Sequence, residues 1–452
     1  MDIFTRLTDI VGMDFASNRQ EELHMYSRDS GAQQPRRVDY VVLPKTVEEV
    51  QRIVRLASEE KIPITPMGGG FTTSALAVPV KGGMLLDMKR MDRIIEVNEK
   101  GRYAVVEAGV SQGALKGYLE KHCPRLQHCT PEAPPTVTIV GNALILGHGH
   151  ITSRQGINSE MISGIEVVLP TGEVSKVGSC SVSPYWFTRG PLPDLAGLFI
   201  GWLGTTGIVT KMSIRLFPKP RYRDALAFLT DNLYLIPEIV FEVTQLDLLE
   251  NFFLWGQEKP DWMDHVYLVM IVSGQSEEEL ELKKQAHKKV FQRYEDIEFV
   301  EEIPPALRKR ILDVPPFAAT AADFKKGGGF EYTGAILHVE KVPEAWTRGM
   351  EIAHKYGMLY SHAIQVLRDQ SVMFAFDYSF NRADPEDIER TRKAIDESDR
   401  LTLELGGMVW RPEVSAQKLM MEKMDPHTLE LMRMIKKVLD PNGILNPGNW
   451  GD

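Results

Sequence analysis

The chain has almost no cysteine: Cys123, Cys129 and Cys180 are all it offers in 452 residues. Three thiols cannot build a disulfide framework, and the spacing of Cys123 and Cys129 fits neither a CxxC redox pair nor a zinc knuckle. Buried or indifferent thiols are expected. Long apolar runs are missing too; none reaches the roughly 18–20 residues that a spanning helix needs. Asp2, Arg6 and Asp9 interrupt the N-terminal stretch Met1–Asp14, so no secretory signal is expected there and a cytoplasmic home is. There is no excess of positive charge: 62 acidic residues against 52 basic give a net charge of -10. That field repels phosphate backbones and argues against a nucleic-acid partner. Internal repeats and low-complexity tracts are also absent. What remains is an ordinary globular composition, 43% hydrophobic and 25% charged. At this length two or three domains are expected.

Thr46 with Glu49 reads as a capping box opening a helix over Val47–Glu60, whose apolar face is Val50, Ile53, Val54 and Ala57. A short buried strand follows over Lys61–Pro66. Further strands are expected at Gly83–Leu86, Ile94–Val97, Tyr103–Glu107, Ile165–Leu169, Val174–Val177 and Ile208–Phe217, with a short helix at Ser111–Lys121. Pro218-Lys219-Pro220 cannot continue either element and marks a boundary. Beyond it come a strand at His265–Val272, a capped helix at Ser276–Tyr294, and a loop containing Pro304-Pro305, Pro315-Pro316 and Gly327–Gly329. Strands at Ala335–Val339 and Val372–Tyr378 follow, then a long helix from Asp384 to Leu405 that ends at Gly406. This order implies an α+β second domain on an antiparallel sheet.

Three glycine-rich stretches carry the chemistry. Pro66-Met67-Gly68-Gly69-Gly70-Phe71-Thr72-Thr73-Ser74 follows a strand directly. Successive glycines let backbone N–H groups converge on an anion, and the hydroxyls add donors, which suits a pyrophosphate. The spacing matches neither GxGxxG nor GxxxxGK[ST], so nicotinamide and P-loop sites lose ground. A plain glycine-rich loop reads equally well. The second stretch runs from Pro134 through Gly141-Asn142 to Gly147-His148-Gly149-His150. In the third, Leu198–Thr210, Gly201, Gly204 and Gly207 recur at threes, which is also the mark of a packing device.

Taken in order, these stretches resemble the FAD-binding domain of the vanillyl-alcohol oxidase / para-cresol methylhydroxylase superfamily. Pro66–Gly70 resembles its P-x-G-x-G loop, and Thr138–Asn142 with Gly147–Gly149 its T-x-G-G/A-N stretch and Gly pair. Gly164–Glu173 and Gly201–Thr210 resemble its two later strand motifs, and Asp440–Gly448 its C-terminal D-P-x-x-x-L-N-P-G segment. The likeness covers residues 26–222 and 400–450. It implies an α+β chain: a two-subdomain FAD-binding domain over 1–222, a cap domain with an antiparallel sheet over 223–405, and a segment over 406–452 that returns to the FAD domain. It implies non-covalent FAD held by Pro66, Gly68, Gly69, Gly70, Phe71, Thr72, Thr73, Pro135, Thr138, Gly141, Asn142, Gly147, His148, Gly149, Gly204, Gly207, Ile208, Val209 and Asn446. The flavin carries the hydride chemistry, while the protein orients it.

Two branches of the superfamily compete for the substrate. Where the D-lactate and glycolate branch carries H-x-G-D-G-N-x-H, this chain reads Ser361-His362-Ala363-Ile364-Gln365-Val366-Leu367, so no bound metal is expected. Gly406-Gly407-Met408-Val409-Trp410-Arg411 resembles the phenol-oxidising branch, with Trp410 in place of a common tyrosine. Arg411 is the leading catalytic candidate, set against the plainer reading of a surface arginine at a strand end. For a general base the candidates are His150, His362, Tyr332 and Tyr378, histidine being favoured because it titrates near neutrality. His362 alone reads equally as structural. The expected activity is oxidation of a small alcohol-type substrate, a 2-hydroxy acid first and a 4-alkylphenol or aryl alcohol second. A third reading is an FAD-holding subunit that relays electrons in a larger complex. Electrons would go to a quinone or a protein such as an electron-transfer flavoprotein or iron–sulfur subunit, and self-association is expected.

Overall fold

The computed structural model describes residues 2–258, 265–313, 327–368 and 371–451. Thr46 Oγ1 accepts a hydrogen bond from Glu49 N at 3.2 Å and Lys45 N donates to Glu49 Oε2 at 2.6 Å, so helix α1 (Val47–Glu60) begins on a side-chain cap in which Glu49 reaches one residue further back than the expected capping box. Lys61, at φ 54°, turns the chain into strand β2 (Ile64–Met67). With β1 (Tyr40–Val42) this strand pairs in parallel with β3 (Met84–Asp87). A second, antiparallel sheet of five strands has the order β4 (Ile94–Asn98), β5 (Tyr103–Glu107), β8 (Ile208–Arg215), β6 (Ile162–Val168), β7 (Val174–Gly178). Helices α2 (Gln112–His122) and α3 (Ile139–Leu144) complete this half, and one apolar core runs beneath both sheets.

Pro218 corrects one expectation. It sits in a two-residue strand, Phe217–Pro218, against Leu126–Gln127. A ribbon this short tolerates a residue without an N–H, and the Pro218 carbonyl still accepts from Gln127 Nε2. The change of sheet follows at residues 219–221.

The second half is an eight-stranded antiparallel sheet. From one edge, after Glu298–Phe299, it runs β9 (Tyr222–Thr230), β11 (Val266–Gly274), β10 (Leu249–Gln257), β13 (Ser361–Val366), β14 (Ser371–Phe380), β12 (Gly329–His338) and β15 (Met408–Trp410). Strands β9 and β10 went unread in the sequence, as did the helices α4 (Ile236–Gln245) and α7 (Val342–Lys355), both of which carry proline in the first turn. The expected loop holds a helix, α6 (Pro305–Leu312), beside α5 (Glu277–Phe291), while Pro315-Pro316 lie outside the described residues.

Strand parity decides what each residue of this sheet sees. Phe374, Phe376 and Tyr378 of β14 point back, with Ile364 and Val366 of β13, into a core roofed by α7 and α8 (Pro385–Glu404). Met373 and Ala375, with Ala363 and Tyr332, point forward and meet Leu146 and Ile157 of the first half. That forward face is the seam between the halves.

The expected C-terminal segment 406–452 divides. Its strand β15 completes the cap sheet beside Gly334–Ile336, and after α9 (Val414–Lys423) and α10 (Pro426–Leu439) the chain joins the parallel sheet of the first half. There Leu445 bridges Ile64. Buried Asp440 ties the return, accepting from Lys436 Nζ at 2.7 Å, Leu445 N at 2.8 Å and Ile444 N at 3.1 Å. Asp440→Ala removes a buried carboxylate with its ion pair to Lys436 and its two backbone bonds, a loss of about 3–5 kcal/mol. The variant is expected to melt well below the parent in a thermal scan; an unchanged midpoint would refute the tie.

Candidate functional site

The loop Gly68–Gly70 and the start of α3 close on one hydroxyl. A Cβ at Gly68 would lie 2.3 Å from Thr138 Oγ1, and one at Gly141 would lie 2.8 Å from the same atom. A Cβ at Gly69 would meet the Thr136 carbonyl at 3.0 Å, and Gly70 has φ 73°. Two chain segments therefore approach at a distance only glycine permits. Among the described residues, the backbone N–H groups of 69–74 have no hydrogen-bond acceptor. A run of unengaged donors in a glycine-lined cradle suits the pyrophosphate of a dinucleotide.

Other residues of the expected cofactor set serve the walls. Gly204 lies against Pro66, where a Cβ would come within 2.5 Å of the ring, and Gly207 lies against Val167 and Phe199. Pro135 accepts from Gly113 N at 2.8 Å, holding its loop to α2. Asn142 accepts from Asn158 Nδ2 at 2.5 Å and backs Gly147, while Gly149 abuts the Thr130 carbonyl. Thr72 reaches Asp29 at 3.4 Å, Thr73 abuts Gly31, and Phe71 is exposed at the loop's rim. Three positions need correcting. The Ile208 and Val209 side chains lie in the apolar core, leaving only backbone to offer a ligand. Asn446 donates to the Leu203 carbonyl at 2.6 Å and accepts from Thr65 Oγ1 at 3.0 Å, so its amide knits the C-terminus.

The far end of α3 holds the second cluster. Trp410 Nε1 donates to the Leu146 carbonyl at 2.9 Å, and Arg411 Nε donates to the Ile145 carbonyl at 3.2 Å. The first is the carbonyl of a residue just past the C-cap of α3, the second that of the C-cap itself, which the helix end leaves open. The six-residue helix, about 9 Å long, thus links the glycine cradle to the cap sheet. Arg411 has φ 55°, its guanidinium carbon lies 3.8 Å over the Trp410 ring, and Nη1 donates to Tyr332 Oη at 3.0 Å. His148 stands 5.2 Å from Trp410, ring to ring. Burial, with Arg411 adding to it, lowers the His148 imidazole to about 3, so it is neutral. Arg411 is therefore no stray surface residue but the centre of a cluster on the seam.

Three proposed bases are displaced. Tyr378 points behind the sheet and bonds Ser398 at 2.8 Å, and burial raises its phenol further. His362 points the same way, edge-on to Trp346 at 5.2 Å and beside Phe374 and Phe376. Burial drops it to about 4. His150 is lowered to about 3 by burial and Arg223; its Nδ1 accepts from Thr130 N at 3.1 Å and its Nε2 faces Gln127 Oε1 at 3.3 Å. With both ring nitrogens engaged, it has none for a substrate. Their sequence neighbours matter more. Asp377 and Ser361, one residue from Tyr378 and His362, share the forward face with Tyr332: Asp377 is in register with Ser361 on one side and Tyr332 on the other. His362→Phe is expected to leave turnover within about threefold of the parent, because the ring fills core volume and its Nδ1 bonds only backbone, the Ser361 carbonyl at 2.8 Å; a steady-state assay in which activity collapsed would return His362 to the site.

Among the described residues no group of three or more His, Cys, Asp or Glu could hold a metal ion, the three cysteines are buried, and no helix is long and apolar enough to cross a membrane. Residues 38–178 match the FAD binding domain family, and residues 240–450 match the C-terminal domain of FAD linked oxidases. The chain is 24% identical to "Glycolate oxidase subunit GlcD" of Bacillus subtilis, over 99% of this chain and 96% of that protein. It is 26% identical to the "4-cresol dehydrogenase [hydroxylating] flavoprotein subunit" of Pseudomonas putida, over 91% and 87% of the two. Its fold superposes on a substrate-bound crystal structure of p-cresol methylhydroxylase with a TM-score of 0.87 at 23% identity, covering 99% of this chain and 96% of that one.

Proposed function

The chain is an FAD-dependent oxidoreductase of the vanillyl-alcohol oxidase / para-cresol methylhydroxylase superfamily, and from that premise we propose that it oxidises a small 2-hydroxy acid gripped by Arg411 and Tyr332. The observation that carries this is the 3.0 Å bond from Arg411 Nη1 to Tyr332 Oη on the seam. It holds the planar guanidinium beside a phenolic hydroxyl, and together they can bind a carboxylate with two charge-assisted donors. FAD, when bound, accepts the hydride and its two electrons from the substrate carbon. The Gly68–Gly70 loop and Thr138–Gly141 would hold its pyrophosphate, and α3 fixes their spacing from Arg411. Leu146 and Ile157 pack on the cluster of Met373, Ala375 and Trp410 and line the seam with apolar surface. Electrons would leave to a quinone or a partner protein.

A second reading rests on the rings. Trp410 lies 5.2 Å from His148 and 6.2 Å from Tyr332, walls that suit a flat 4-alkylphenol whose phenolate would take the Arg411 position. The test is anaerobic bleaching of the bound flavin by 2-hydroxy acids and by alkylphenols in parallel. Bleaching by hydroxy acids supports the proposal, bleaching by alkylphenols alone replaces it with the second reading, and bleaching by neither removes both.

A further inference from the structure

The segment Asp29–Arg36 runs between the glycine cradle and the cap and is bonded on both sides. Toward the cradle, Asp29 Oδ2 accepts from Ala75 N at 2.7 Å and from Thr72 Oγ1 at 3.4 Å, while its Oδ1 accepts from Gly31 N at 2.9 Å. Arg36 Nη1 donates to the Ala75 and Val78 carbonyls at 3.4 and 3.3 Å. Toward the cap, Ala32 N donates to Glu331 Oε2 of β12 at 2.8 Å, and Arg392 Nε of α8 donates to the Ala32 carbonyl at 2.7 Å. Arg36 also pairs with Glu413, beyond β15, at 3.6 Å. Gly31 is where the two sides come closest: a Cβ there would overlap both the Thr73 carbonyl oxygen and Glu331 Oε2.

Asp29 grips the loop at Thr72 and at Ala75, around the last of the backbone N–H groups that stay open for a ligand. Ala75 has φ 52°, a conformation that an alanine keeps only when its surroundings enforce it. Asp29 on its N–H and Arg36 on its carbonyl are those surroundings. We infer that Asp29–Arg36 is a strap through which the cap fixes the cradle loop, and that Asp29 and Arg392 are positioning residues for FAD, although Arg392 sits on a helix packed behind the cap sheet. The strap goes beyond the substrate reading and needs only that the cradle takes the FAD pyrophosphate.

The cap's anchor works without charge. Glu331 is buried, and burial, with the Asp29 charge second, holds its carboxyl well above the ordinary carboxylate range. It therefore receives the Ala32 N–H as a neutral acid, a task that an amide of the same shape can also perform. Coupling of this kind is reciprocal: a seated cap tightens the cradle, and FAD in the cradle seats the cap.

Arg392→Ala should weaken FAD binding by about 5- to 150-fold, the usual size of coupling between two sites. Lys393→Ala, at the next and exposed position of the same helix, should bind FAD as the parent does. Glu331→Ala should lose affinity, and Glu331→Gln, which keeps an oxygen for the Ala32 N–H, should regain it. If the residues act through one strap, adding Arg392→Ala to Asp29→Ala should cost nothing further. Equilibrium dialysis of the purified protein against graded FAD reads these affinities. Amide exchange of the full chain as purified gives a readout that needs no FAD. The Ala75 N–H, bonded to Asp29, should exchange faster in Arg392→Ala than in the parent or in Lys393→Ala. Parent-like affinity in Arg392→Ala, additive losses in the double variant, or exchange at Ala75 indifferent to Arg392→Ala overturns the strap. Should the parent bind no FAD, the cradle reading falls while exchange at Ala75 still decides the strap.

Discussion

Arg411→Ala should slow flavin reduction by about 10²–10³-fold, the usual loss when one preorganised charge stabiliser is removed, while the protein stays yellow. Arg411 is held three ways: on the Trp410 ring at 3.8 Å, through Nε to the Ile145 carbonyl, and through Nη1 to Tyr332. Its left-handed backbone, φ 55°, is a conformation that a bulky side chain adopts at a cost of about 1–3 kcal/mol when its surroundings enforce it, and such strain gathers at functional sites. Lysine cannot stack flat and reach two acceptors from one point charge, so Arg411→Lys should recover little. Trp410 keeps its own bond to the Leu146 carbonyl, so the seam should survive and the melting temperature should change little. Anaerobic stopped-flow reduction, with the flavin-to-protein absorbance ratio alongside, separates the possibilities. Arg411→Ala protein that reduces as fast as the parent would remove the anchor.

The glycine cradle was half legible. Gly68, Gly69 and Gly70 are consecutive and mark a loop, but the close approach that requires them is to Thr136 and Thr138, which only the fold brings near. The helix α1 was legible because its cap and its apolar face lie close together in the chain. The seam was not. Tyr332 and Asp377 meet through cross-strand register, and Arg411 reaches Tyr332 from a strand that follows some 75 residues later. Sequence named Tyr378 and His362 where the structure puts Asp377 and Ser361 forward. The error is one residue in each case, which in a strand of period two is the whole thickness of the sheet. The parity was in fact written in Ser371–Phe380: Val372, Phe374, Phe376, Tyr378 and Phe380 alternate with Ser371, Met373, Ala375, Asp377 and Ser379, and the large apolar set packs behind the sheet under α7 and α8. Their packing fixes which residues are core, and the remaining alternate positions become the site by default.

The cradle supplies the severest expected effect on the cofactor. Thr138 Oγ1 is wedged between Gly68 and Gly141, so Gly68→Ala drives a methyl to 2.3 Å from it, well inside contact distance. The hydroxyl cannot swing clear cheaply, because Thr138 is buried at the first turn of α3. The loop must lift instead, carrying the unengaged N–H groups of 69–74 with it. Overpacking of this kind costs about 1–3 kcal/mol, equivalent to a loss of FAD affinity of about 5- to 150-fold. Gly68→Ala should therefore purify pale and bind added FAD weakly. A rescue separates this from general damage. Thr138 Oγ1 makes no capping bond, and the next atom a Gly68 methyl would meet is Thr138 Cβ, at 3.5 Å, ordinary contact. The double variant Gly68→Ala, Thr138→Ala should thus regain much of its flavin by the same absorbance ratio. A single variant as yellow as the parent, or a double variant no yellower than the single, would mean that this approach of loop to helix does not hold the pyrophosphate.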